Sequence, residues 1–191
     1  MSLPSFVTVV SGLPRSGTSM VMQMVHAGGI PACTDGVRSA DPDNPRGYFE
    51  LERVKALRAD RAWLPEARGK VIKVIHMLLP ELPTDLDYRV LFVERDLGEV
   101  IASQQKMLTR LGRPGAALAP ERLIAAFQSQ LRQVREWLAQ QPRFQVLSLQ
   151  YAAIVQDPRA AAAAIHQWLG GGLDEGAMAA SVDASLYRNR Q

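Results

Sequence analysis

The sequence is poor in cysteine, in excess charge and in long hydrophobic runs. Its single cysteine, Cys33, cannot form a disulfide within the chain, which is typical of a reducing compartment. No apolar run reaches the roughly 18 residues needed to span a bilayer. The segment from Met1 to Val10 also lacks the basic and long apolar regions of a secretory signal. We therefore expect a cytoplasmic protein without a transmembrane segment.

The excess of positive charge is small. The chain carries 22 Lys and Arg against 19 Asp and Glu, a formal net charge of +3, whereas a general nucleic-acid binder would carry a much larger excess. We expect no nucleic acid among the partners, and any anion site must be local. The three histidines and Cys33 share no ligand spacing, so we also expect no metal.

Strand and helix patterns alternate along the 191 residues, a length typical of one domain. Short apolar runs predict buried strands over Phe6–Ser11, Val71–Ile75, Val90–Val93 and Phe144–Leu149. Helical spacing predicts helices over Thr18–Ala27, Leu97–Leu108, Pro120–Gln140 and Pro158–Leu169. The alternation predicts a single α/β domain over residues 1–191, with three layers (α/β/α) and a mostly parallel central sheet.

The segment Gly12–Ser19 (GLPRSGTS), named the phosphate loop here, lies between the first strand and the first helix. Backbone N–H groups converge in such a loop and the helix dipole adds positive potential, which suits a phosphate or sulfate group. Its spacing matches the Walker A loop except that Thr18 occupies the lysine position. This substitution disfavours ATP or GTP chemistry, and Arg15 supplies a cation within the loop.

The string PRSGTS at this place resembles the sulfotransferases that use 3'-phosphoadenosine 5'-phosphosulfate (PAPS), which have a fold like that of the P-loop nucleoside-triphosphate hydrolases. The family's loop cation is lysine in many members and arginine in others, so the resemblance implies a catalytic role for Arg15 without a metal. It implies that the 5'-phosphosulfate of PAPS is bound by Pro14, Arg15, Ser16, Gly17, Thr18 and Ser19.

A second stretch resembles the family's site for the 3'-phosphate. In the family, an arginine at a strand end is followed eight residues later by a serine on the next helix. Arg95 and Ser103 have this spacing after the third predicted strand, although Leu97 replaces the usual proline. The resemblance implies that Arg95 and Ser103 bind the 3'-phosphate.

Two further parts of the chain resemble cofactor contacts of the family. The segment Tyr151–Pro158 (YAAIVQDP) is similar to a segment whose tyrosine lies near the adenine, with Ala152 and Ala153 in place of an acidic pair. Tyr151 is therefore a candidate cofactor-binding residue. Late basic residues also hold the 3'-phosphate in the family, and Arg188 or Arg190 could serve here, although the family's Arg-Lys-Gly string is absent.

Two residues are candidates for the base that takes the acceptor's proton. His76 ends the second predicted strand, and Lys73–His76 (KVIH) resembles a family Lys-Thr-His segment in which the histidine is the base and the lysine aids the leaving group. The spacing is one residue longer here. Glu50 is the alternative, since other sulfotransferases use a glutamate from this part of the chain. Both remain open at this stage.

Most of these candidates follow directly on predicted strands, so a parallel sheet would gather them at its carboxyl edge, where open α/β folds bind ligands. The resemblance implies sulfuryl transfer from PAPS to a hydroxyl or amine of a small-molecule, lipid or saccharide acceptor. The alternatives are a P-loop kinase of a small metabolite, and a non-catalytic nucleotide-binding protein of the same fold.

Overall fold

A computed structural model describes residues 5–41, 44, 46–113 and 119–186. Its four strands are β1 (Val7–Gly12), β2 (Val71–Lys73), β3 (Tyr88–Glu94) and β4 (Phe144–Gln150). They form one parallel sheet in the order β2-β1-β3-β4. Every strand overlaps a run predicted from the sequence, and the α/β class with a parallel sheet is confirmed.

Helices connect the strands. They are α1 (Thr18–Ala27), α2 (Glu52–Lys55), α3 (Leu97–Arg110), α4 (Pro120–Ala139), α5 (Tyr151–Gln156), α6 (Pro158–Trp168) and α7 (Glu175–Ala180), with 3-10 turns at Leu64–Ala67, His76–Glu81 and Ala184–Leu186. The four helices predicted from the sequence are confirmed, and α2, α5 and α7 are additional. Within the described ranges, no helix combines the length and apolar character that crossing a bilayer requires.

The sheet has a hydrophobic core on each face. Alternate residues of β1 enter different cores, with Val7 and Val9 on one side and Val10 on the other, as the two-residue period of a strand requires. The first core also contains residues of α2 and α4, and the second contains residues of α1, α5 and α6. This burial on both faces confirms the three-layer arrangement and explains why the central strands β1 and β3 are mostly apolar.

The second strand is shorter than predicted. Its pairing with β1 ends at Lys73, which lies opposite Val10, so the prediction that His76 ends this strand is wrong. His76 instead begins a 3-10 turn. The apolar pattern continues past the strand because Val74 and Leu79 are fully buried in the first core, and core packing rather than strand pairing accounts for it.

The strand register brings the candidate residues to one edge of the sheet. Gly12, the last residue of β1, lies opposite Val93 of β3, and Glu94 lies opposite Gln150 of β4. The phosphate loop, Arg95 and Tyr151 therefore leave the sheet at neighbouring points of its carboxyl edge, as the sequence pattern predicts.

Candidate active site

The phosphate loop has a backbone conformation that ordinary residues rarely adopt. Arg15 has a φ of 73° and Gly17, which precedes α1, has a φ of 104°. A positive φ is costly for a residue with a Cβ, so strain at Arg15 has to be held by the surrounding contacts. Phe49, with a φ of 52°, is the other positive-φ residue besides glycine in the described chain, and it adjoins the candidate base Glu50.

Tyr151 packs directly against the phosphate loop. A Cβ placed on Gly17 would lie 2.3 Å from Cδ2 of Tyr151, so only glycine fits at this contact. Tyr151 also contacts Arg95, whose guanidinium carbon lies 4.2 Å from the centre of the Tyr151 ring. The ring thus lies between the loop and the predicted 3'-phosphate ligand, and the guanidinium is stabilised by the ring's negative face.

Arg95 is held by two further groups. Its Nε donates to Oε2 of Glu99 at 2.8 Å, and a terminal nitrogen donates to the backbone carbonyl of Arg15 at 3.3 Å. The side chains of Arg95 and Glu99 are each only 7% exposed. Asp96 caps α3 by accepting from the backbone N–H of Glu99, which fixes Glu99 one turn away from Arg95. A buried arginine fixed in this way is pre-organised for an anion.

The two predicted phosphate sites meet in space. Nε of Arg15 donates to Oγ of Ser103 at 3.1 Å, across 88 residues of sequence. Ser103 is 5% exposed. Together with the contact between Arg95 and the Arg15 carbonyl, this bond joins the phosphate loop to the start of α3. The loop cation and both predicted 3'-phosphate ligands therefore belong to one site.

A second cluster surrounds Lys73 beside the start of α1. Its Nζ donates to Oγ of Ser19 at 3.0 Å and to the backbone carbonyl of Tyr48 at 2.9 Å, and it lies 3.8 Å from Oε1 of Glu50. Burial lowers the pKa of Lys73 to about 8, against the opposing effect of Glu50. A lysine with such a pKa in a polar cavity is a functional-site signal.

The two candidate bases lie in different surroundings. Glu50 faces a cavity at the carboxyl edge of the sheet and pairs with Arg38 at 2.8 Å. His76 lies outside this cavity, is 2% exposed, and its Nε2 is 3.0 Å from Oε1 of Gln130 on α4. Burial lowers the pKa of His76, which favours the neutral imidazole.

The cavity has a volume of about 420 Å³ and collects most of the predicted residues. Those that line it are Pro14, Arg15, Gly17, Thr18, Ser19, Glu50, Arg95, Ser103 and Tyr151. Ser16 of the phosphate loop is only 1% exposed and does not line the cavity, and Arg188 and Arg190 lie outside the described residues. Nowhere in those described ranges do three His, Cys, Asp or Glu side chains form a group that could hold a metal.

Other residues also line the cavity, although the sequence pattern predicts no role for them. Arg38, Asn44 and Tyr48 come from the long loop before α2, and Lys106 lies one turn after Ser103 on α3. The loop's Pro, Gly and Asp content indicates only that it is a loop. The Lys106 position could have been found from the three-residue spacing that puts it on the same face of a helix as Ser103.

Substitution of Gly17 by alanine tests the contact with Tyr151. We expect Gly17→Ala to lower the free energy of unfolding by about 2 kcal/mol more than Gly29→Ala, because the added methyl overlaps the ring. Gly29 is a matched control, since its φ of 109° is nearly that of Gly17 while a Cβ there meets nothing within 4 Å. Urea denaturation measures both, and equal losses would contradict the contact.

The lowered pKa of Lys73 predicts a pH dependence of stability. Between its folded pKa of about 8 and the usual unfolded value of about 10.4, the unfolded chain binds more protons than the folded one. The free energy of unfolding should therefore rise with pH in this window. We expect the wild type to gain on the order of 2 kcal/mol relative to Lys73→Met between pH 8 and pH 10.

Urea denaturation at a series of pH values measures this gain. Lys55→Met provides the control, because Lys55 is an exposed lysine paired with Glu52 and its pKa is raised rather than lowered. A wild-type gain over Lys55→Met as large as that over Lys73→Met would show that desolvation of Lys73 is not its source.

Comparison with known proteins places the chain in a family. The family model of the sulfotransferase domain matches residues 7–191. A comparison with curated protein sequences finds no match. The fold is similar to that of a sulfotransferase domain from the curacin biosynthetic pathway, with 16% identity, a TM-score of 0.55, and coverage of 97% of this chain and 90% of that one.

Two more solved structures have a similar fold. One is a sulfotransferase from Mycobacterium tuberculosis H37Rv, with 13% identity, a TM-score of 0.54, and coverage of 97% of this chain and 74% of that one. The other is a retinol dehydratase, with 19% identity, a TM-score of 0.53, and coverage of 98% and 66%. Identities this low establish the fold alone. Because the family model spans nearly the whole sequence, the chain belongs to the sulfotransferase domain family.

Proposed function

We propose that this protein transfers a sulfuryl group from PAPS to a hydroxyl or amine of a small-molecule, lipid or saccharide acceptor. The observation that carries the proposal is the hydrogen bond from Arg15 to Ser103, which joins the two elements proposed to bind anions in one cavity. Family membership supports sulfotransferase activity, and the similar retinol dehydratase was solved with androsterone and the inactive cofactor PAP. A cytoplasmic location remains an expectation from the sequence.

The residues present fit a donor phosphorylated at two ends. The backbone N–H groups of the phosphate loop and the side chain of Arg15 would bind the 5'-phosphosulfate. Arg95, with its guanidinium fixed by Glu99, and Ser103 would bind the 3'-phosphate. Tyr151, against the loop, would contact the adenosine. Arg188 remains a proposed additional ligand in the part of the chain outside the described residues.

The donor supplies a sulfuryl group whose S–O bond to phosphate is broken as the acceptor oxygen or nitrogen forms a new bond to sulfur. The products are the sulfated acceptor and adenosine 3',5'-bisphosphate. Arg15 and the loop amides would stabilise the negative charge on the transferred group and on the leaving phosphate. Lys73, at hydrogen-bond distance from Ser19, would add charge at the same end of the cavity.

We propose Glu50 as the base that receives the acceptor's proton. Its carboxylate lines the cavity and lies 3.8 Å from Nζ of Lys73, so it is within the cluster beside the phosphate loop. His76 is the other candidate, and its burial against Gln130 favours a structural role. The strained backbone at Phe49 would orient Glu50 towards the acceptor.

The kinase and the non-catalytic interpretations have less support. Thr18 occupies the lysine position of the Walker A loop, and its neutral hydroxyl cannot supply the charge that phosphoryl transfer needs at this point. A protein that only binds nucleotide would have no use for a carboxylate and a desolvated lysine side by side in its cavity. Both features favour group transfer by a sulfotransferase.

Calorimetric titration tests the proposed donor site. We expect adenosine 3',5'-bisphosphate to bind at least about 10-fold more tightly than ADP, because Arg95 and Ser103 would contact the 3'-phosphate. Ser103→Ala should lose about 10-fold in affinity for the bisphosphate and little for ADP. Ser129→Ala on α4, which removes a hydroxyl in contact with Gln133, is the control. Equal affinities of the wild type for the two nucleotides would contradict the donor assignment.

Two variants separate the candidate bases. Glu50→Gln should lower kcat for sulfate transfer by about 10²- to 10⁴-fold while donor affinity stays within a few-fold, since the amide keeps the shape but cannot accept the proton. His76→Asn should reduce stability in urea more than it reduces kcat. Assays with radiolabelled PAPS measure transfer. A large loss of kcat in a folded His76→Asn, together with an active Glu50→Gln, would assign the base to His76.

A further inference from the structure

Arg38 occupies an unusual position beside the proposed base. One terminal nitrogen donates to Oε1 of Glu50 at 2.8 Å, and its guanidinium carbon lies 3.4 Å above the centre of the Tyr48 ring. The side chain is 40% exposed and lines the cavity. Arg38 is therefore held between an aromatic ring and a carboxylate while part of its side chain stays exposed.

The aromatic surface beneath Arg38 is itself fixed. The hydroxyl of Tyr48 lies 2.9 Å from both carboxylate oxygens of Asp41. Arg110, at the end of α3, reaches the same carboxylate at 3.0 Å. The Tyr48 carbonyl accepts from Lys73. Contacts of the Tyr48 hydroxyl and carbonyl thus fix the ring that Arg38 contacts.

Most hydrogen-bond donors of Arg38 have no partner among the residues that the structure describes. A guanidinium carries five N–H donors, and the bond to Glu50 uses one of them. Across the described residues, Arg38 makes no other hydrogen bond or ion pair. A planar donor group that is already positioned and has unused donors binds a carboxylate, phosphate or sulfate oxygen pair at little entropic cost.

We propose that Arg38 binds an anionic group of the acceptor, so that the preferred acceptors are hydroxyl or amine compounds that also carry a carboxylate, phosphate or sulfate. This inference rests on the proposed function. The donor phosphates have their own partners in the phosphate loop, Arg95 and Ser103. Arg38 instead adjoins Glu50, where the acceptor's reacting group must lie.

The pair with Glu50 gives the binding a consequence for catalysis. The donor of Arg38 occupies Oε1 of Glu50 at 2.8 Å, on the carboxylate proposed to receive the acceptor's proton. When the acceptor's anionic group takes over donors of Arg38, the competing contact with Glu50 weakens. Glu50 then receives the proton of the same acceptor. An uncharged acceptor would leave the pair of Arg38 and Glu50 intact and would react more slowly.

Paired acceptors test the inference. The first pair is 4-hydroxyphenylacetate with its primary amide, and the second is methyl glucuronide with methyl glucoside. We expect the wild type to use the anionic member of a pair with a kcat/KM at least about 10-fold higher, and Arg38→Gln to remove this preference mainly through KM. Adenosine 3',5'-bisphosphate should bind Arg38→Gln and the wild type equally.

Arg53→Gln is the matched control. Arg53 also pairs with a carboxylate, Asp60, and lies 5.3 Å from the centre of the Trp63 ring, with a side chain 52% exposed, but it does not line the cavity. Arg53→Gln should therefore leave the preference for the anionic acceptor of each pair unchanged. Folding of each variant is checked by urea denaturation.

The remaining outcomes overturn the inference. Equal use of charged and uncharged members, a preference that survives Arg38→Gln, or no transfer to any anionic member would each exclude Arg38 as the anion-binding residue of the acceptor. If Arg38→Gln instead weakens bisphosphate binding, Arg38 belongs to the donor site. In every one of these cases, selective binding of the bisphosphate by the wild type would leave the proposed sulfotransferase function intact.

Discussion

The parallel pairing of β1 with β3 is the constraint on which the rest of the site depends. Gly12 lies opposite Val93 at the end of this pairing, and a Cβ on Gly12 would lie 2.5 Å from the Val93 carbonyl oxygen. This close approach brings the phosphate loop against the strand that ends immediately before Arg95. Residues separated by some 80 positions in sequence can then share a hydrogen bond, as Arg95 and Arg15 do.

Several cations of the protein lie together where the sheet ends. A net charge of +3 produces only a weak field over the whole surface, yet Arg15, Arg38, Lys73 and Arg95 all line one cavity. Local fields in a cleft depend on such arrangements rather than on the net charge. The lowered pKa of Lys73 shows that part of this charge is kept out of water, at a cost to folding that an anion in the cavity would offset.

The sequence predicts the parts of the site that depend on local pattern. The glycine spacing between a strand and a helix locates the phosphate loop. The resemblance to the family finds Arg95 and Ser103, because one follows directly on a regular strand and the other lies on a regular helix. Tyr151 begins a helix directly after β4, and that six-residue helix is too short to give a periodic signal. Its role in packing against Gly17 is invisible without the fold.

Other parts depend on contacts that no local pattern encodes. His76 continues an apolar run, and only the pairing with β1 decides where the strand stops. Arg38 lies in a loop whose conformation is set by distant partners, among them Arg110 on α3 through Asp41. Glu99 lies in the first turn of α3, and its side chain accepts a hydrogen bond from Arg95. Such choices are made by tertiary packing, which overrides local preference.

The two hydrogen bonds of Lys73 have a consequence for how ligands on the two sides of the cavity affect each other. Because one reaches Ser19 at the start of α1 and the other reaches the Tyr48 carbonyl, a single amine links the anion-binding helix terminus to the loop that carries Tyr48 and Glu50. A ligand that binds the Lys73 amine at the start of α1 would weaken the hydrogen bond from that amine to the Tyr48 carbonyl, and would thereby change the stability of the loop conformation. By thermodynamic reciprocity, a ligand on the loop side would change the affinity at the helix by the same factor, so the proposed donor and acceptor would bind as coupled rather than independent ligands.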